Sequence, residues 1–307
     1  MRKTEITFLL IASFLIGYSW LDGIVYTTKL DIQYIHLDSI TKVILVNDST
    51  ITPVLYDSLI IQNYVSPDER KQQFINQVLP AILIVKYQIE NKSKKVDRIM
   101  HKIEDGIPLK PREGIFVDSL MVRYRAKSYE NLLIRMKPHA TSLVLAQAAV
   151  ESGWGSSRFA MEGNNLFGVW ASSTDPNSIK SKYKRNENSI HVKKYLNVAE
   201  SIDHYFLTLG RNNAYLNFRA ERYAETNVFQ LLESLDRYSE RGDAYTQQLR
   251  KIIEWNNLQD FDRYSISSDY ILDVTYLDYY RQQAIDKIKM YLKRLKSFLT
   301  TEQNVPS

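Results

Sequence analysis

The stretch from Leu145 to Trp170, LAQAAVESGWGSSRFAMEGNNLFGVW, does most to decide how this chain folds and where its chemistry lies. Its first half belongs to a predicted buried helix from about Ser142 to Ser152, because nearly every face of that segment is small and apolar. Gly153 follows at the position where a glycine usually ends a helix. Glu151 is therefore expected in the last turn of a buried helix, next to a tight turn.

Two features of this position are expected to raise the pKa of Glu151. The C-terminus of a helix carries partial negative charge, which disfavours an ionised carboxylate, and burial against Trp154 disfavours it further. A carboxyl group that keeps its proton near neutral pH suits a general acid, most often one that protonates a glycosidic oxygen. A glutamate in a salt bridge, for example with Arg158, would explain these local features equally well.

The composition limits the other kinds of chemistry. The 307 residues are 44% hydrophobic and 24% charged, which is ordinary for a globular protein. The 40 basic and 35 acidic residues give too weak a positive balance to indicate nucleic-acid binding. The chain has no cysteine, and its five histidines show no metal-ligand spacing. We therefore expect no metal and no other cofactor.

The N-terminus has the pattern of an export signal. A basic start precedes the apolar run Ile6 to Ile16, and small residues at Gly17 and Ser19 fit cleavage after Ser19. The alternative is an uncleaved membrane anchor from Ile6 to about Tyr26, although this run is short for a full span. Residues 1–26 are thus predicted to be a signal peptide or anchor, which places the protein in the periplasm or cell envelope or at the inner membrane.

Turn and cap signals divide the rest of the chain into four regions. Residues 27–65 are predicted to be an extended, β-rich lead-in, in which the β-branched stretch from Thr41 to Val65 is either a short hairpin or extended. Residues 66–127 form an N-terminal helical region, in which Pro80 should kink or split the first helix. Residues 128–258 form the expected catalytic domain. Residues 259–307 contain a C-terminal amphipathic helix, whose basic face favours packing on the domain over membrane contact.

Apolar spacing predicts mostly helices and a single hairpin. A capping box from Ser66 to Glu69, with Pro67 as the first helical residue, starts the first helix. Residues 106–114 read as a loop, and alternation between Ile179 and Val192 predicts two paired strands. The remaining helices are predicted at Asp118 to Tyr124, Tyr129 to Met136, Ser142 to Ser152, Asn197 to Gly210, Val228 to Tyr238, Asp243 to Asn256 and Tyr279 to Leu299. The predicted fold class is mainly α with a small β-hairpin lobe (α+β).

The central stretch closely resembles the signature of the Bax-type and flagellar FlgJ-type glucosaminidases, glycoside hydrolase family seventy-three. The matching segments are Leu145 to Gln147, Glu151 to Gly155, Ser157 to Ala160 and Asn164 to Gly168, and a Bax-like similarity extends over about residues 66–257. The resemblance implies a lysozyme-like fold with a groove between two helical lobes and a small β-lobe. It also implies that the substrate is the glycan strand of peptidoglycan, cut after N-acetylglucosamine.

The resemblance further implies roles for individual side chains. It assigns the general acid to Glu151 and makes several neighbours candidates for contact with the sugar. These are Tyr238, Tyr245, Asn165, Phe167 and Trp154. For Phe167, a core aromatic that anchors the loop is an equally good interpretation.

A second catalytic carboxylate is harder to assign. Inverting hydrolysis needs one roughly 6.5–9.5 Å from the acid, and the hairpin region offers only Asp175 and Glu187. Asp175 precedes a proline, which also fits a residue that only forms a turn, while Glu187 should lie at the hairpin tip. The glycine-rich hairpin of Bax relatives is replaced here by the basic run Lys180 to Arg185. Assistance by the acetamido group of the sugar would need only Glu151 and an orienting group such as Tyr238.

Three functions are therefore open at this point. The first is an endo-β-N-acetylglucosaminidase that acts on peptidoglycan strands and is held near the membrane by its N-terminal segment. The second is a lytic transglycosylase on the same fold, which also needs a single glutamic acid. The third is a cell-wall-binding scaffold with a decayed site. Nucleic acid is not an expected partner, and the oligomeric state is not specified.

Overall fold

The computed structural model describes residues 26–62, 64–185, 188–224 and 227–275, together with residue 285. The N-terminal segment predicted to be a signal or anchor therefore lies outside the described residues, except for Tyr26. The same holds for the predicted helix at 279–299, except for residue 285. Within the described ranges, no helix is both long and apolar enough to cross a membrane.

The described residues belong to two compact units. One contains residues 26–31 and 268–275, in which strand β1 (Tyr26–Leu30) pairs antiparallel with strand β8 (Ile271–Thr275). The other unit runs from Ile32 to Ser267. This second unit contains residues on both sides of the boundaries predicted at residues 65, 127 and 258.

The lead-in forms short strands that pair with distant or non-adjacent segments. Strand β2 (Gln33–Ile35) runs parallel to β4 (Val54–Tyr56), and β3 (Thr50–Ile51) runs parallel to β7 (Ser265–Ile266). Of the two alternatives predicted for this stretch, the local hairpin is therefore wrong. All three residues of β4 are buried, and an isolated hairpin could not have covered them on both faces.

Helix α1 (Pro67–Glu104) begins as the capping box predicts. The Ser66 side chain accepts from the backbone N–H of Glu69, and the Glu69 carboxylate accepts from the backbone N–H of Ser66. The predicted split at Pro80 is wrong, because the helix continues through it. Every residue from Phe74 to Val85 is buried, so packing on all sides offsets the hydrogen bond that the proline removes.

The helices that follow α1 in the second unit are interrupted by one hairpin. They are α2 (Pro111–Tyr124), α3 (Tyr129–Met136), α4 (Thr141–Ser152), α5 (Arg158–Gly163), α6 (Val198–Arg211), α7 (Leu216–Tyr223), α8 (Val228–Glu233) and α9 (Asp243–Trp255). Strands β5 (Ser178–Arg185) and β6 (Asn188–Lys193) form the antiparallel hairpin. The predicted class, mainly helical with a small hairpin, is confirmed.

Two helices depart by several residues from their predicted limits, and two others were not predicted. Helix α2 begins at Pro111 rather than Asp118, because the Glu113 carboxylate accepts from the backbone N–H of Lys110, inside the predicted loop. Helix α8 ends at Glu233, five residues before Tyr238, and the chain continues there in turns. Helices α5 and α7 were not predicted from the sequence.

Most residues of helix α4 are buried, and its start depends on a distant residue. Its N-cap, Ala140, has no side-chain acceptor. Asp262, in the 3-10 segment Leu258–Arg263, accepts instead from the backbone N–H of Ser142 at 2.7 Å and from its hydroxyl at 2.8 Å. The Lys86 ammonium also donates to the Thr141 hydroxyl at 2.9 Å. The start of α4 is therefore held by one residue that precedes the helix in the sequence, Lys86, and one that follows it, Asp262.

Candidate active site

The turn after α4 is built from consecutive left-handed residues. Gly153, Trp154 and Gly155 have φ angles of 60°, 56° and 75°. A Cβ atom on Gly155 would stand 3.0 Å from the Phe74 ring and 3.1 Å from Ile61. Only glycine fits both this backbone conformation and this close approach. The turn therefore clamps the end of α4 against α1 and the lead-in.

Trp154 points into the same contact region. Its ring meets that of Phe74 edge-on, with centroids 5.6 Å apart, and the Lys71 ammonium lies 5.8 Å from its centroid. These contacts help to fasten the turn to the start of α1. The sugar contact suggested for Trp154 stays a prediction.

The Glu151 residue is exposed at the end of α4, but its carboxyl group is partly buried by neighbouring protein atoms. Burial raises the pKa of Glu151, and two neighbours act in the opposite direction. The Tyr245 hydroxyl donates a hydrogen bond to Glu151, and the positive charge of Arg241 attracts its ionised form. Burial prevails, so the expected direction of the pKa shift is confirmed. The two opposing partners were not indicated by the sequence.

Tyrosine rings line the region beside Glu151. Tyr238 and Tyr245 stack with centroids 5.5 Å apart at 12°, and Tyr215 lies 6.1 Å from Tyr238. Burial, with a contribution from the charge of Glu151, raises the pKa of Tyr238 well above its ordinary value. Its hydroxyl is therefore neutral and can donate a hydrogen bond. Tyr238 is partly accessible, whereas Tyr245 is only 1% exposed, so Tyr238 is the better placed of the two to meet a sugar.

A buried line of hydrogen bonds leads to Glu151 from the interior. His139 Nε2 lies 2.8 Å from the Tyr205 hydroxyl, which donates to Gln147 Oε1 at 2.5 Å. Gln147 Nε2 donates to the Tyr245 hydroxyl at 3.1 Å, and that hydroxyl donates to Glu151. The sequence held one signal for this line. Gln147 is a polar residue on an otherwise apolar helix, one turn before Glu151 and therefore on the same face.

The loop from Asn164 to Gly168 is tied to the hairpin. The Asn165 amide donates to the carbonyls of Val169 and Lys193 at 3.0 and 2.8 Å and accepts from the N–H of Val169 at 3.0 Å. Phe167 stacks on Tyr205 with centroids 4.3 Å apart. Both side chains are buried. These contacts give both residues a structural role and favour the core interpretation of Phe167.

Among the described residues, Asp175 shows no hydrogen bond to Glu151. Asp175 Oδ1 accepts from the backbone N–H of Asn177 at 2.8 Å, which is the bond of a turn former. Glu187 lies outside the described residues. In the part of the chain that the structure describes, no group of three or more histidine or acidic side chains could hold a metal ion.

Comparison with known proteins agrees with this geometry. Residues 126–258 match the glucosaminidase family model, described as mannosyl-glycoprotein endo-beta-N-acetylglucosaminidase. Protein bax of Escherichia coli (strain K12) is 27% identical over 205 residues, which cover 62% of this chain and 70% of that protein.

Two solved structures are also similar. The catalytic domain of the autolysin Auto from Listeria monocytogenes is 21% identical with a TM-score of 0.36, covering 54% of this chain and 97% of that one. A C-terminally truncated glycoside hydrolase domain of Salmonella typhimurium FlgJ is 23% identical with a TM-score of 0.32, covering 45% and 93%. By the family match and the sequence relative, residues 126–258 resemble the glucosaminidase family, and this chain is a glycoside hydrolase.

Proposed function

We propose that this protein is an endo-β-N-acetylglucosaminidase that hydrolyses β-1,4 bonds in the glycan strands of peptidoglycan, with Glu151 as the general acid. The observation that carries the proposal is the position of Glu151. It is a solvent-accessible carboxyl group of raised pKa at the end of the helix that bears the family signature, beside Tyr238 and Arg241. We expect a lysozyme-like groove to place the scissile bond there.

The chemistry follows from this setting. Protonated Glu151 gives its proton to the glycosidic oxygen as the bond from that oxygen to C1 breaks, which leaves positive charge on the sugar and a carboxylate on Glu151. The hydrogen bond from Tyr245 and the charge of Arg241 stabilise that carboxylate. Water adds to C1, and its released proton restores the acid, so the reaction balances as a hydrolysis.

The reaction also needs a second group, which either activates the attacking water or orients the acetamido group of the sugar. Asp175 and Glu187 remain the candidate carboxylates, and the turn bond of Asp175 argues against it. Attack by the sugar's own acetamido oxygen needs neither residue. Tyr238 is the candidate to orient that acetamido group, because it is partly accessible and the charge of Glu151 affects its pKa.

The expected site of action is the cell envelope. The substrate of the proposed reaction lies outside the cytoplasm, and the N-terminal segment has the pattern of an export signal. We propose export to the periplasm or retention at the inner membrane through that segment. Fractionation of cells that express the full chain would test this point.

The activity is tested with Glu151→Gln on purified sacculi. The wild type should release new reducing N-acetylglucosamine ends, and the variant should lose at least about a hundredfold in rate, because it cannot donate the proton. Glu162→Gln is the matched control. Glu162 is an exposed glutamate of α5 that pairs with Arg158 at 3.3 Å, so its substitution should leave lysis unchanged.

Mass spectrometry of the products separates the alternatives. Products with anhydro-muramic ends would show that the protein is a lytic transglycosylase and not a hydrolase. If the wild type and Glu151→Gln bind sacculi alike and neither releases fragments, the protein is a scaffold instead.

A further inference from the structure

A buried line of hydrogen bonds, from His139 through Tyr205, Gln147 and Tyr245, leads to Glu151. Gln147 is fully buried, and both ends of its amide are used, one by Tyr205 and one by Tyr245. A buried glutamine that replaces an apolar side chain in a helix core is costly unless both ends are paired. This pairing connects it to the hydroxyl that touches the proposed acid.

The direction of the protons along the line can be assigned from its far end. His139 Nδ1 is buried and has no hydrogen-bond partner among the described residues. Burial, with the charges of Arg222 and Lys86, lowers the pKa of His139 well below its ordinary value, so the ring is neutral. A bare buried acceptor is less costly than a bare buried N–H. The proton therefore sits on Nε2 and is donated to Tyr205.

The rest of the line follows from this choice. Tyr205 has accepted from His139, so its own proton goes to Gln147 Oε1. The Gln147 NH₂ group then donates to the Tyr245 oxygen. Since a tyrosine has one hydroxyl proton, that of Tyr245 is left for Glu151. Every proton in the line points toward the acid.

We propose that Gln147 is a positioning residue of the active site, which orients the hydroxyl proton of Tyr245 toward Glu151 through its own donation to the Tyr245 oxygen. The catalytic consequence rests on the proposed function, whereas the orientation itself does not. With the donor preset, the carboxylate that forms after proton transfer meets a hydrogen bond without any reorganisation.

The other groups that act on Glu151 are identifiable. Tyr238 lies in the segment between α8 and α9, Arg241 lies just before α9, and Tyr245 is on α9 itself. Within the described ranges, the Gln147 side chain is hydrogen-bonded to Tyr205 and Tyr245 and not to Glu151. An effect of Gln147 on the acid should therefore pass through Tyr245.

The test substitutes Gln147→Met, which keeps the length of the side chain and removes both hydrogen bonds. The pKa of Glu151 is read from the carboxyl ¹³C shift of glutamate-labelled full-length protein, with Glu151→Gln used to assign the signal. The Tyr245 bond lowers this pKa, so weakening it should move the pKa upward. The alkaline limb of kcat should move to higher pH with it, and kcat should fall roughly tenfold while KM changes less.

Two comparisons exclude a merely structural effect. Gln77→Met is the matched control, because Gln77 is also fully buried and also uses its amide in hydrogen bonds, to Ile60 and Gln73. It should lower the melting temperature without moving the Glu151 signal. Tyr245→Phe should move that signal as Gln147→Met does, and the double variant should move it no further.

The outcomes separate this inference from the proposed function. If Gln147→Met leaves the Glu151 titration where Gln77→Met leaves it, or if its shift adds fully to that of Tyr245→Phe, the positioning role is overturned. If the shift is found but the wild type releases no sugar, the positioning stands and the proposed hydrolysis fails. If Gln147→Met does not fold, Tyr205→Phe removes a single hydroxyl and should move the titration in the same direction.

Discussion

Replacing Asp262 by alanine should destabilise the protein by about 2 kcal/mol, although Asp262 is exposed and lies beyond the family match. Asp262 supplies the acceptor that Ala140 lacks at the start of α4. Loss of such a cap costs about 1 kcal/mol. The hydroxyl of the fully buried Ser142 also loses its acceptor, which costs about 1–3 kcal/mol if nothing replaces it. Water can reach the exposed Asp262 position, so we take the low end of that range.

The measurement is equilibrium unfolding in urea. Asp262→Ala should lower the midpoint without changing the slope, because the amount of surface exposed on unfolding is the same. Asp260→Ala is the control on the same 3-10 segment. Asp260 forms an exposed ion pair with Arg263 at 3.7 Å, and such pairs are worth about 0–1 kcal/mol. The capping role would be refuted if Asp262→Ala cost no more than Asp260→Ala.

Two further predictions concern the site. Gly155→Ala should lower the free energy of unfolding by about 1–3 kcal/mol, because its Cβ would lie 3.0 Å from Phe74 at a φ of 75°. Thermal unfolding would measure this loss. Gly168→Ala should cost less, because Gly168 has a φ of 63° but its Cβ would meet no atom within 4 Å. Arg241→Gln should raise the pKa of Glu151, because it removes a charge that favours the carboxylate. Glu151 then stays protonated to higher pH, so the alkaline limb of the activity profile should shift upward, and an unmoved limb would contradict the assignment.

Local signals carried the correct predictions of the fold. The start of α1 was predictable because Ser66, Pro67 and Glu69 interact within one turn. The end of α4 was predictable because Gly153 needs a left-handed φ that few other residues adopt. In both cases the energy that fixes the boundary comes from residues next to each other in the chain.

Contacts between distant residues carried the errors and omissions. Strand β3 pairs with β7 across more than two hundred residues, so periodicity could not distinguish this pairing from a local hairpin. The continuity of α1 through Pro80 depends on burial from Phe74 to Val85, which is a property of the assembled core. Tyr205 lies 58 residues from Gln147 in sequence, so the line that reaches Glu151 was visible only as one unexplained polar side chain.

The contacts that hold the two ends of α4 come from outside the segment that matches the family. The family match covers residues 126–258, yet Asp262 holds the first turn of the helix, and Phe74 and Ile61 support the turn that follows Glu151. A domain excised at the family boundaries would lose support at both ends of its signature helix. Transplanting this activity into a hybrid hydrolase should therefore require the flanking segments, and proteolytic cleavage that released the lead-in should inactivate a signature that remains chemically intact.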